Sequence, residues 1–149
     1  MRALSRLRRD RRGISAVELA LALPILLLVV GGIADHGSIL WYQADLTKAL
    51  REGMQHALRS PDDNAGILDA IRASTGLSGA KGFSLGSPSR SCTCLDSIPI
   101  SCSTGWCVGL LAKREYMTLS ASYGFTPVVG TMMGLVPDRA EASLRLRVK

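Results

Sequence analysis

The chain has 149 residues, 47% of them hydrophobic but only 5% aromatic, and a net charge of +6. This excludes a disordered chain, suits one globular domain, and argues against a small enzyme built around an aromatic pocket. The charge is no nucleic-acid signature. Residues 1–13 carry six arginines and one aspartate, whereas residues 14–149 carry 12 basic and 11 acidic side chains, so the body is nearly neutral at +1 and shows no basic face for binding.

Arg2, Arg6, Arg8, Arg9, Arg11 and Arg12 form a cationic leader over residues 1–13. From Ile14 to Ala34 only Ser15 and Glu18 interrupt an apolar run of 21 residues. As a helix this run spans about 31 Å, close to a bilayer core of about 30 Å. The arginines lie before it, Asp35 follows it, and the next basic residue is Lys48. The positive-inside rule then puts the N-terminus in the cytoplasm and residues 35–149 on the far side. Three uses fit such a segment. It is a signal peptide cut near Ala34 at the small-x-small Gly32-Ile33-Ala34, a plain single-pass anchor, or a prepilin-like segment cut at its cytoplasmic edge.

Glu18 favours the third use. A carboxylate inside hydrocarbon costs about 2.5–3.5 kcal/mol on insertion scales and marks a functional position by default. Cleavage after Gly13 would make Ile14 the first residue and free its ammonium. Glu18, one turn further on, could neutralise that ammonium or a neighbouring subunit's. The structural alternative is a side chain that snorkels to the nearby interface.

Residues 11–33, RRGISAVELALALPILLLVVGGI, resemble the N-terminus of TadE-like minor pilins, or pseudopilins, of the Tad (Flp-type) tight-adherence type IV pilus. The matching positions are Gly13, Val17, Glu18 and Pro24. The major Tad pilin usually carries Glu-Tyr where this chain has Glu18-Leu19, and it is much shorter, so the minor class fits better. Leu19 also departs from the phenylalanine frequent in the family. The resemblance implies processing by a prepilin peptidase at Arg12-Gly13-Ile14, with Glu18 aiding recognition or alignment. It implies other Tad pilins and minor pilins, the inner-membrane assembly platform and the lipid bilayer as partners.

Helical spacing continues past the membrane through Ile33, Leu40, Ala44, Leu50, Met54, Ala57 and Leu58, which predicts a stalk over residues 35–60. A helix from Ile14 to Arg59 would be about 69 Å long, kinked at Pro24. Trp41 and Tyr42 suit either an interfacial belt or a core contact. His36 and His56 have no ligand-spaced neighbours and read as solvated. Ser60-Pro61-Asp62-Asp63 opens a second helix over 61–75 with Ser60 as cap, closed by Gly76. Residues 76–91 read as loop with a short strand at Phe83–Leu85. Met117, Leu119, Ala121, Tyr123 and Phe125 alternate with polar residues, as do Ala142, Leu144, Leu146 and Val148, so both segments read as half-buried strands. The expected class is α+β, a long N-terminal helix packed on a small antiparallel sheet, with residues 61–149 as the folded domain. Between the strands lies a charge-free stretch containing Val128, Val129, Met132 and Met133. It is either a loop folded on the core or a patch that docks another subunit.

Cys92, Cys94, Cys102 and Cys107 lie within 16 residues, all on the predicted outer side. An oxidising periplasm would pair them. Cys92 and Cys94 share one strand face, so each should bond to Cys102 or Cys107, with both pairings open. Zinc is the rival, but C-x-C spacing fits it poorly. No nucleophile elbow, phosphate loop or zinc-protease motif is present, and Asp62-Asp63 serves a helix start. The sequence therefore predicts neither an enzyme nor a cofactor, metal or nucleic-acid partner. It predicts a bacterial inner-membrane protein, N-terminus inside and domain in the periplasm, that takes part in assembly or initiation of an adhesive pilus. The alternatives are a membrane-anchored periplasmic interaction module and a secreted disulfide-stabilised domain.

Overall fold

The computed structural model describes residues 12–95, 98–107, 112–130 and 137–148. Among these residues two helices, α1 (Arg12–Arg59) and α2 (Asn64–Ser74), precede five strands. These are β1 (Phe83–Leu85), β2 (Ser89–Thr93), β3 (Pro99–Ile100), β4 (Arg114–Gly124) and β5 (Arg139–Arg147). The chain forms two compact units. One takes Met1–Gly37 with Pro127–Val136, and the other takes Ser38–Thr126 with Pro137–Lys149.

In the second unit, β4 is the organising strand. Nine of its 11 residues pair antiparallel with β5, from Tyr116↔Arg147 to Gly124↔Arg139. Its other edge is shared between β1, at Phe83↔Tyr123, and β2, at Ser89↔Thr118 through Thr93↔Arg114. β3 adds to β2 at Cys92↔Ile100. Alternation along β4 buries Met117, Leu119 and Ala121 and turns Thr118, Ser120 and Ser122 to the opposite face, as a period of two requires. Gly82, with φ of +95°, makes the tight turn before β1 and accepts from the Gly124 amide at 3.0 Å.

The sheet's apolar face is covered by α1 residues Ile39, Leu46, Ala49, Leu50, Met54 and Ala57, joined by Ile67 and Ile71 of α2. The α+β class of long helix and small antiparallel sheet is thus the observed one. The buried stripe of α1 is shifted from the expected one, however. Leu50, Met54 and Ala57 are buried, but Leu40, Ala44 and Leu58 are exposed, while Ile39, Leu46 and Ala49 take the core positions. Both stripes satisfy helical spacing. The choice falls to the stripe that runs continuously through Leu46, Ala49 and Gly53, where small residues let neighbours approach. A Cβ at Gly53 would stand 2.7 Å from the Ile71 Cδ1.

α2 also starts later than expected. Its cap is Asp63, not Ser60: the Gly66 N–H donates to the Asp63 Oδ1 at 2.9 Å. Ser60 instead accepts from the Asp63 amide in the preceding turn. Past the helix, the buried Thr75 hydroxyl donates to Asp45 at 2.6 Å and accepts from the Leu77 amide at 3.1 Å. Tyr42 packs on Tyr123 and Phe125, with ring centroids 4.7 and 5.3 Å away, while Trp41 stays exposed. The two aromatics therefore divide, and only Tyr42 joins the core.

Candidate functional site

The chain's apolar helix is the first feature to account for. From Val17 to Val30 the large aliphatic side chains are 47–70% exposed on every side of α1. A helix apolar all round suits a large core or lipid, and among the described residues none encloses this segment. It is long and apolar enough to cross a membrane, and its most apolar window is wholly unburied. Pro24 sits inside it without ending it, as membrane helices tolerate.

Arg12, Gly13 and Ile14 form the start of α1. Their peptide groups fall in the first turn, where helix amides have no intrahelical acceptor. Glu18 lies one turn beyond Ile14, exposed among aliphatic neighbours. Among the described residues no hydrogen bond or ion pair engages its carboxylate. A carboxylate in that setting is available to a partner that brings a positive charge.

At the other end of the apolar run lies a residue whose role sequence reading missed. Asp35 is only 3% exposed. Its Oδ1 accepts from the Val128 amide, and its Oδ2 from the Val129 and Gly130 amides, each at 2.8 Å. The Val128 and Val129 amides hold its carboxyl below the usual carboxylate range; burial opposes them, and the Gly130 amide and nearby His36 add to the lowering. One turn earlier, a Cβ at Gly31 would collide with the Val129 side chain. Pro127 and Gly130 are buried, Val129 is half-buried, and Val128 projects with 80% of its surface exposed. Of the candidate docking residues, Val128 and Val129 thus stand on a turn clamped to the helix; Met132 and Met133 lie outside the described residues. The available signal was an acid directly after an apolar span, with a charge-free segment elsewhere to receive it.

The four cysteines form two crossed bridges, Cys92–Cys102 and Cys94–Cys107. This is one of the two pairings that spacing left open. Cys92 and Cys94 are buried, and the Lys113 ammonium donates to the Cys102 carbonyl. Among the described residues no group of three metal-ligating side chains occurs. His56 is not simply solvated: its Nε2 lies 3.1 Å from the Asp63 Oδ2. The Gly66 amide and His56 both hold Asp63 below its ordinary pKa. A Cβ at Gly66 would fall on that carboxylate and within 2.6 Å of the His56 Nε2, so the glycine makes room for the clip.

Comparison with known proteins agrees with the anchor's composition. No curated protein and no solved structure matches the chain. Residues 13–55, however, match the family described as TadE-like protein. The match begins at Gly13 and covers Val17, Glu18, Pro24, Gly31 and Asp35. Across this stretch, which holds the membrane-length helix and much of the core stripe, the chain is similar to the TadE-like family.

Proposed function

We propose that this protein is a minor pilin, or pseudopilin, that takes part in assembly or initiation of a Tad (Flp-type) adhesive pilus and is not an enzyme. The observation that carries the reading is the Gly13-to-Glu18 arrangement at the start of a TadE-like helix. Before assembly the apolar segment anchors the chain in the bacterial inner membrane, with the arginine leader in the cytoplasm and the disulfide domain in the periplasm. A prepilin peptidase cuts after Gly13. The Gly13–Ile14 bond lies in the first helical turn, so a protease has to unwind little to reach it. Cleavage removes six arginines and leaves an ammonium on Ile14, one turn from Glu18. In the filament the same helix packs against other Tad pilins, with Glu18 paired to that ammonium or a neighbour's. The inner-membrane assembly platform receives the processed chain.

The test is the N-terminal residue of the protein purified from native membranes, read by mass spectrometry. A start at Ile14, lost when the prepilin peptidase is deleted, is the expected result. An intact leader would instead make the protein an anchored periplasmic module, and a start at Asp35 a secreted domain; either outcome overturns the proposal.

A further inference from the structure

We propose that the Pro127–Gly130 turn is a second lipid-contacting element, buried in the bilayer beside the end of the apolar helix, with Asp35 as its positioning residue. The inference rests on reading residues 14–34 as the membrane span. Depth is the first argument. The Val129 side chain packs at Gly31, four residues before Asp35 and inside the apolar run, so that side chain reaches about 6 Å below the level of Asp35 along the helix, and the turn's backbone sits at the Asp35 carboxylate. A turn seated there meets hydrocarbon or the headgroup boundary, not bulk water.

Hydrogen bonding is the second argument. Irregular backbone enters a membrane only where its polar groups are satisfied by protein. Here three consecutive amides, of Val128, Val129 and Gly130, all donate to one buried carboxylate. The same geometry hides the Asp35 charge and leaves Val128 as the group that faces outward. Composition is the third argument. No Asp, Glu, Lys or Arg occurs from Phe125 to Pro137. A lipid surface continuous with the span fits this projecting valine, and a second protein subunit is the competing occupant.

The test places an environment-sensitive NBD label on single added cysteines of the full chain, reconstituted in phosphatidylcholine–phosphatidylglycerol vesicles with the native disulfides intact. Leu26→Cys reports the span, Val128→Cys the turn, and Ala73→Cys an exposed helix position. Expected is blue-shifted emission at both Leu26→Cys and Val128→Cys, quenched by lipids carrying nitroxide spin labels on the acyl chain. Adding Asp35→Ala or Gly31→Leu should abolish the quenching at Val128→Cys and leave Leu26→Cys unchanged. If Leu26→Cys stays unquenched, the span reading has failed. If Leu26→Cys is quenched and Val128→Cys emits like Ala73→Cys, the turn lies in water and the proposal is overturned. A blue shift at Val128→Cys that ignores the lipid quenchers but grows with protein density also overturns it, in favour of a second copy.

Discussion

Removing the Cys92–Cys102 bridge by paired alanine substitution should destabilise the sheet by an amount set by chain length. The bridge closes a loop with a separation of 10 residues, and Cys94–Cys107 closes one of 13. Either alone restricts the unfolded chain by about 3 kcal/mol. The two loops interleave, however. With Cys94–Cys107 intact, the shortest path from residue 92 to 102 runs back through that bridge, over about seven residues, so the first deletion should cost only about 2.5 kcal/mol. Deleting the second bridge should then cost about 3 kcal/mol more. Alanine suits Cys92 and Cys94 because both are buried and a serine hydroxyl there would lack a partner. Far-ultraviolet signals are dominated by α1, so the assay is hydrogen exchange of the β4 amides that pair with β2, in detergent micelles. Alongside it, proteolysis under non-reducing conditions identifies the linked peptides. Two outcomes would refute the reasoning: a first deletion that leaves β4 protection unchanged, or linked peptides that join Cys92 to Cys107.

Gly53→Val should destabilise the helix pair by about 2 kcal/mol, because its Cβ would press on the Ile71 side chain of α2; slowed exchange at Leu50 and Met54 would contradict this. Leu119→Ala, at 1% exposure in the centre of β4, should cost about 2–5 kcal/mol, read as lost protection at its partner Leu144. Asp63 carries a pH dependence. Its folded pKa lies below the ordinary 3.8, so its contribution is complete above that value and is lost as pH falls through the folded pKa. Asp63→Ala should remove that acid-side loss of α2 protection, whereas an unchanged pH profile would show that the clip with Gly66 and His56 contributes nothing.

The features legible in the sequence were those written within one element. β4 and β5 announced themselves because alternation is a property of adjacent residues, and Met117, Leu119 and Ala121 are buried as their period demands. The long helix was legible as an apolar run followed by helical spacing. Its register was not, because Ile39 and Leu40 are equally apolar and only the sheet selects between them. The start of α2 was ambiguous for a similar reason. Ser60, Asp62 and Asp63 can each cap, and the decision rests on Gly66 and His56, which lie on either side of the motif. The disulfides were restricted to two pairings by strand geometry, and the crossed arrangement depends on how the 98–107 segment turns back. Asp35 was opaque because its partners lie 93 to 95 residues away.

The span has an acidic residue at each end, and their surroundings predict opposite phenotypes. Asp35 is satisfied within the chain, its two oxygens engaged by three amides. Glu18 is exposed among aliphatic side chains with no partner among the described residues. A carboxylate unsatisfied in its own fold is retained at a cost in lipid, so its partner should come from cleavage or from assembly. Glu18→Gln should therefore leave exchange at the Val128, Val129 and Gly130 amides unchanged while it reduces pilus formation. Asp35→Asn keeps the shape but gives up the ionised acceptor, so the same amides should exchange faster, while the cleavage proposed after Gly13 should be unaffected. Both variants can be measured in one pair of assays: amide exchange in micelles and the ratio of processed to unprocessed chain in cells. Faster exchange in Glu18→Gln, or a processing defect in Asp35→Asn with normal exchange, would show that the two acids do not divide the work in this way.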